Sequence, residues 1–300
     1  MKLKNINCPI CDSAKNYQII YKKNFKISDL NTEIFSARRL PDKIHYQIVK
    51  CNKCGLVRST PTADISHLNK LYEKSLLTYD EEIKNLTCTY INAIKPIIKT
   101  FSKDANILEI GCGNGFVLEK IYNLGYKNIF GIEPSIDATA KTNSKIKKNI
   151  ITNILKPGLF NKGKFDFIFF FQTFDHIPEP NKFLKECFNL LKPNGKILAF
   201  NHNIDSLSSK IFREKSPIVD IEHTFLYSPK TIKTIFQKNG FMVDRIYSPK
   251  NTLSFKHLFW LIPMPKNIKL KILNSKTKIL DKEINLKLGN ICIEGHKNEK

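Results

Sequence analysis

Hydrophobic positions recur with two periods along this chain, and the period changes at recognisable places. Tyr17–Lys22 and His45–Lys50 have the look of short strands. From Pro61 the spacing turns helical: Leu68, Leu71 and Tyr72, then Ile83, Leu86 and Tyr90, then Ile94, Ile97 and Ile98. Pro61 and Thr62 mark the start of this stretch, and Pro96 is expected to end or kink its last helix. An apolar strand beginning at Ala105 runs into a glycine-rich turn, an amphipathic helix over Phe116–Leu124 and a second strand ending at Glu133. Towards the C-terminus, a helix over Lys230–Asn239 is closed by Gly240. A strand at Phe241–Tyr247 follows, and a last strand is expected at Leu288–Gly295. The pattern predicts a unit over 1–60, a helical connector over 61–103 and an α/β domain over 104–300, with an insertion at about 248–287.

Length and composition bound this picture. The chain has 300 residues, enough for one large or two modest domains, and its 42% hydrophobic and 25% charged residues are ordinary globular values. The apolar patches around Phe167–Phe171 and Leu258–Met264 fall far short of the ~18–20 residues of a membrane-spanning helix, and the start of the chain lacks the apolar stretch of a secretory signal. A soluble, cytoplasmic protein is expected. The formal charge of +22 comes almost entirely from lysines dispersed among Asn and Ile, with Arg only at 38, 39, 58, 213 and 245. Dispersed lysine reads mainly as a solvated surface, because an RNA-reading patch more often clusters Arg with aromatics. Anionic partners remain favoured, nucleotide-linked substrates and membrane headgroups among them, with an RNA or phosphate surface the lesser alternative.

Four of the eight cysteines form two pairs, Cys8-x-x-Cys11 and Cys51-x-x-Cys54 followed by Gly55. In a reducing compartment, two such pairs suit a tetrahedral thiolate zinc site better than disulfides. Four thiolates would fill the metal's coordination shell, so the zinc is expected to be structural, in a ribbon-like unit with an inserted loop.

The turn after the first core strand reads Glu109-Ile-Gly111-Cys-Gly113-Asn-Gly115. Glycines there let backbone approach a ligand, and the following helix offers unpaired N–H groups. Glu133, at the tip of the next strand, is placed to accept hydrogen bonds from ribose hydroxyls. The spacing Glu-x-Gly-x-Gly-x-Gly differs from the Gly-x-Gly-x-x-Gly of dinucleotide-binding folds. Here residues 105–200 resemble a class I S-adenosylmethionine-dependent methyltransferase. Lys164–Phe171 resembles that family's fourth strand and Asp175-His176-Ile177-Pro178-Glu179-Pro180 the loop after it. Phe183–Leu191 resembles the next helix and Leu191–Phe200 the turn into strand five. The resemblance implies a seven-stranded doubly wound Rossmann-like sheet, preceded here by the small zinc-ribbon-like unit. It also implies that Glu109 and the backbone of Gly111 and Gly113 hold the methionine end of S-adenosylmethionine and Glu133 its ribose, with Gly115 among the cofactor-binding residues. Phe171 and Gln172 would line the sulfonium region. Where many relatives carry an Asp for the adenine amino group, this chain offers Asn153. The cysteine unit ahead of such a core is similar to bacterial deoxysugar and polysaccharide-pathway methyltransferases.

An oxygen or carbon acceptor must lose a proton, and histidine is the natural base. His176 after the fourth strand and His223 ahead of the sixth are the candidates, with His202 a third. The expected function is methyl transfer to a small acceptor, a nucleotide- or lipid-linked sugar. The alternatives are an RNA methyltransferase using the zinc unit and basic surface, and a non-catalytic cofactor-binding scaffold. For the insertion, with Trp260 among its aromatics, a helical cap over the sheet edge is expected. The alternatives there are an acceptor lid and a weak membrane-surface contact. Sequence leaves the oligomeric state open.

Overall fold

The computed structural model describes residues 3–26, 44–76, 83–262, 264–275 and 277–298. The chain opens with five short strands: β1 (Leu3–Lys4), β2 (Tyr17–Tyr21), β3 (Ile48–Cys51), β4 (Val57–Ser59) and β5 (Thr62–Ala63). Strands β2, β3 and β4 pair antiparallel. β3 begins at Ile48 rather than His45, because the His45 backbone N–H donates to Asn24 Oδ1 at 2.9 Å instead of joining a ladder. Helix α1 (Ile65–Glu73) starts where the Asp64 side chain accepts the Ser66 N–H. Helix α2 (Ile83–Ile98) ends two residues after Pro96, which lies in its last turn. Ile97 and Ile98 are buried beside it.

The larger domain continues with β6 (Ile107–Ile110), α3 (Phe116–Asn123), β7 (Ile129–Glu133), α4 (Ile136–Ala140), α5 (Ser144–Lys147), β8 (Ile150–Thr152) and β9 (Phe165–Phe171). Then come α6 (Pro180–Leu190), β10 (Leu191–His202), α7 (Leu207–Phe212), β11 (Phe225–Leu226), α8 (Pro229–Lys238) and β12 (Phe241–Tyr247). The insertion holds β13 (Asn251–Ser254), α9 (Phe255–Leu261), α10 (Lys266–Leu273) and β14 (Glu283–Leu286), and β15 (Asn290–Lys297) follows it. Seven strands form one sheet in the order β12-β15-β10-β9-β6-β7-β8. β15 is antiparallel to both its neighbours, whereas β10, β9, β6, β7 and β8 pair in parallel. Strand β9, Phe-Asp-Phe-Ile-Phe-Phe-Phe, is buried along almost its whole length, as a central strand covered on both faces must be.

Two further features differ from the sequence expectation. The insertion is not purely helical, because β13 and β14 pair antiparallel and frame the two helices. Thr252 anchors this ribbon by donating its N–H to Thr89 Oγ1 of α2 at 2.9 Å. The N-terminal sheet is also not self-contained: β11 supplies its fourth strand, in the order β11-β4-β3-β2. Cys8, Cys51 and Leu56 accordingly share one apolar core with Phe174, Phe225 and Tyr227. That union sets α1 against the carboxyl ends of the central strands, where a doubly wound sheet opens its crevice.

Candidate active site

A cavity of about 780 Å³ occupies that crevice. At one end lie Glu109, Gly111, Gly113, Glu133 and Asn153; Phe171 and Gln172 line the middle; His176, His202 and His223 stand at the other end. Gly115, expected among the cofactor contacts, is not part of the lining. It occupies the left-handed N-cap of α3 at φ 78°, and a Cβ there would sit 2.8 Å from Ile150 Cδ1 and 2.9 Å from Ile146 Cδ1. Gly115 is thus a packing glycine. Gly111 faces the cavity with φ 75°, and a Cβ on it would fall 2.3 Å from Thr173 Oγ1.

The two glutamates are held differently. Glu133 accepts the Gly113 N–H at 2.9 Å and the Ser135 N–H at 2.8 Å. Burial raises its pKa, and these two N–H groups oppose the rise. Glu109 is buried, and its Oε2 has no hydrogen-bond partner. Burial first, then the nearby Glu133 charge, pushes its carboxyl well above the usual range. An orphaned buried carboxylate oxygen facing a cavity fits a cationic ligand group. Asn153 Oδ1 accepts the Ile154 N–H at 2.9 Å.

At the far end, three imidazoles surround one carboxylate. Burial of Asp175, which is 1% exposed, raises its pKa, but the His202 hydrogen bond and the charges of His202 and His176 outweigh burial and hold it below the usual carboxylate range. His202 Nδ1 lies 2.7 Å from Asp175 Oδ2, and His176 Nε2 lies 3.8 Å from Oδ1. The His223 ring stands 4.8 Å from that of His176 and 4.7 Å from that of His202, centroid to centroid. His223 Nδ1 is 2.9 Å from the Ile218 carbonyl, which can only accept, so that nitrogen carries the hydrogen and Nε2 holds the lone pair. The same logic protonates His202 Nδ1 against the carboxylate. Its Nε2 lies 3.4 Å from Gln172 Nε2. Burial and the His202 charge lower the pKa of His223, keeping it neutral.

Several cavity side chains escaped the sequence reading, Tyr72, Tyr90 and Asn69 among them. Tyr72 of α1 places its hydroxyl 3.2 Å from His176 Nδ1. Tyr90 of α2 stacks on Phe171 at 4.1 Å and 7° and donates to Gln172 Oε1 at 3.1 Å. Asn69 also lines the space. Both tyrosines lay on helical apolar stripes and read as core. The available signal was the phenol itself, because a buried hydroxyl needs a partner. Trp260 and Leu261 of α9 close the cavity from the insertion.

Away from this cavity the two cysteine pairs meet. Cys8 Sγ lies 3.3 Å from Cys54 Sγ and Cys11 Sγ 3.5 Å from Cys51 Sγ, and all four sulfurs are within 4.8 Å of one another. Both knuckles close alike: Asp12 N–H donates to the Cys8 carbonyl at 2.8 Å and Gly55 N–H to the Cys51 carbonyl at 2.9 Å. Each closing residue has positive φ, 57° at Asp12 and 80° at Gly55. Burial raises the Cys51 thiol, but the backbone N–H groups of Cys54 and Lys53 outweigh it and bring it to about 7. Burial pushes Cys8 and Cys54 up.

A parallel sheet with its one antiparallel strand, a glycine turn beside Glu133 and a cavity across the strand ends define the Rossmann-like methyltransferase fold. The methyltransferase-domain family model matches residues 79–246, and the chain belongs to that family. The ubiquinone biosynthesis O-methyltransferase of Pelagibacter ubique is 31% identical over 162 residues, covering 52% of this chain and 64% of that protein. A tRNA U34 carboxymethyltransferase of Nautilia profundicola is 33% identical over 114 residues, 36% of this chain and 37% of its own length. The chain thus spans less than two thirds of either relative. The YcgJ protein of Bacillus subtilis shares the fold at 17% identity with a TM-score of 0.50, over 70% of this chain and 99% of that one. Among the described residues no helix is long and apolar enough to cross a membrane.

Proposed function

We propose that the protein transfers a methyl group from S-adenosylmethionine to a hydroxyl or carbon of a small acceptor, a nucleotide- or lipid-linked sugar. The observation that carries this reading is one continuous cavity joining the glycine turn to the histidine cluster. The cofactor supplies an electrophilic methyl group, and the chain does the rest. Glu109 would take the methionine ammonium with its orphaned oxygen, the backbone of Gly111 and Gly113 would cradle the methionine end, and Glu133 would hold the ribose. Asn153 would serve the adenine, while Phe171 and Gln172, braced by Tyr90, would border the sulfonium.

At the acceptor end, His223 presents an unprotonated Nε2, His202 is held by Asp175 through Nδ1, and His176 is steered by Tyr72. One of these rings would remove the acceptor's proton as the acceptor takes the methyl group that the bound cofactor would supply. Alignment and exclusion of water supply the remaining acceleration, with Trp260 and Leu261 as the lid. A buried cluster able to hold and move a proton favours an enzyme over a cofactor-binding scaffold. The test is a mass-spectrometric screen for a +14 Da product across nucleotide sugars, glycolipid precursors and RNA, using the expected methylene increment.

We further infer that Cys8, Cys11, Cys51 and Cys54 hold one structural zinc. Zn–S bonds of ~2.3 Å in a tetrahedron separate sulfurs by roughly 3.8 Å, close to the spacings here. The organisation that follows is a zinc unit over 1–60, a helical connector over 61–103 and a catalytic domain over 104–300. The tRNA relative and the +22 charge support an RNA acceptor as the second reading. Copurifying RNA whose release is steeply salt-dependent, together with an RNA-borne product, would select it.

A further inference from the structure

Arg58 is a fully charged side chain with 0% exposure. Its Nε donates to the Ile6 carbonyl at 3.1 Å, but Nη1 and Nη2 have no hydrogen-bond partner. No carboxylate forms an ion pair with it among the described residues. A guanidinium does not give up its proton at any pH a protein experiences, so burial cannot neutralise it. A buried charge without a counter-charge is strongly unfavourable, and an apolar residue of similar volume would avoid that cost. Something must balance Arg58.

Strand register shows where the side chain goes. Arg58 on β4 is paired with Val49 of β3, and on the far side of β3 Tyr17 is paired with Cys51. The guanidinium carbon nevertheless lies 5.5 Å from the centre of the Tyr17 ring. To reach it, the side chain crosses β3 on its buried face, towards the residue that pairs with Tyr17, which is Cys51. The other landmark agrees: Ile6, which accepts from Nε, is two residues from Cys8. Four thiolates around one Zn²⁺ carry a net charge of −2, here on two buried cysteines, Cys8 and Cys51, and two half-buried ones, Cys11 and Cys54.

Resting on the structural-zinc reading, we propose that Arg58 is the buried counter-charge of the tetrathiolate zinc centre. Each makes the other's burial tolerable. The metal-loaded centre needs a cation to offset its surplus of negative charge, and the guanidinium needs an anion. This makes Arg58 a positioning and charge-balancing residue rather than a ligand. It also accounts for the two unpartnered guanidinium nitrogens.

The experiment uses full-length protein. Zinc content of the wild type is measured first, by elemental analysis of protein prepared without chelators. Zinc release to a chromogenic chelator is then followed for wild type, R58K, R58M and R58Q. R58M and R58Q should release zinc about 10–100-fold faster, the scale on which partners of metal ligands act, with R58K close to wild type. Melting supplies a readout of opposite sign. Zinc-loaded R58M should melt below zinc-loaded wild type, and metal-free R58M above metal-free wild type, because the substitution removes an unbalanced charge. R58Q preserves the test should R58M fail to fold. If wild type binds zinc and both neutral variants retain it as tightly, or melt lower in both states, Arg58 is only a filler and the proposal falls. If the wild type binds no zinc, the metal reading itself falls and takes this proposal with it.

Discussion

Asp175 Oδ2 and His202 Nδ1 are 2.7 Å apart, and the carboxylate between the three imidazoles is 1% exposed. The contact fixes the His202 tautomer and leaves Nε2 directed at Gln172, beside the place proposed for the sulfonium. An asparagine at position 175 would keep the shape but offer an N–H₂ to Nδ1, favouring the opposite tautomer. Asp175→Asn is therefore expected to lower kcat by about 10²–10⁴-fold while the dissociation constant for S-adenosylmethionine stays within about threefold. Steady-state kinetics and calorimetric titration of the same preparation check both halves. Normal turnover would show that the dyad is structural.

The doubly wound sheet was legible because periodicity, a glycine turn and an acid at the next strand's tip are all local signals. Phe241–Tyr247 is a strand with the bounds expected of it. The acceptor end was less legible, because it is assembled from distant segments. His176 and Tyr72 are 104 positions apart, and nothing local marks either as the other's partner. Tyr90 hid in a helical apolar stripe, and Gly115 looked like its neighbours Gly111 and Gly113 although it packs against Ile146 and Ile150. Strand β11 was invisible for the same reason: two residues become a strand only because β4 is there to pair with them.

His223 is held neutral by burial, with a pKa below the ordinary histidine value. If it is the base, kcat/KM should remain at its plateau as pH falls through ~6.5 and drop only at lower pH, where the ring at last takes a proton. His223→Ala should cost at least about a hundredfold in kcat and abolish that acid limb, and His176→Ala should lower kcat similarly with cofactor affinity little changed. An acid limb that is unchanged in His223→Ala would assign the proton transfer to another ring.

Glu109 in the cofactor-free protein has a pKa well above 4.5, raised by burial and by Glu133. A bound ammonium would reverse that shift and stabilise the carboxylate. Binding should therefore release a proton at pH values below the raised pKa, and affinity should rise with pH through that range. Calorimetry in two buffers of different ionisation enthalpy reads the released proton directly. Glu109→Gln should bind more weakly and release none.

Gly111 and Gly115 separate ligand contact from packing. An alanine at 111 meets both a φ of 75° and a contact at 2.3 Å with Thr173, on the cavity wall. An alanine at 115 is equally strained at φ 78° but pushes on Ile146 and Ile150. Each should destabilise the fold by about 1–3 kcal/mol. Gly111→Ala should in addition lose measurable cofactor binding, whereas Gly115→Ala, measured well below its melting point, should retain it. Equal loss in both variants would mean that the whole turn, not one face of it, touches the cofactor.

Zinc and acceptor should be coupled through α1. The cysteine cluster shares its apolar core with Phe225 and Tyr227, while Ile65, Asn69 and Tyr72 of α1 line the acceptor end of the cavity. The cofactor end is built from β6, β7 and β9, which belong to the parallel sheet. Because metal binding supplies folding free energy to such units, Cys54→Ser should lose the metal and loosen the first ~60 residues. The acceptor KM should then rise at least about tenfold and kcat fall with it, as Tyr72 no longer steers His176. S-adenosylmethionine affinity should change far less, since none of its proposed contacts lies in the N-terminal unit. Elemental analysis, proteolysis of the N-terminal segment and separate titrations of cofactor and acceptor distinguish these effects. Equal weakening of both ligands would place the zinc unit under the whole fold rather than under the acceptor pocket alone.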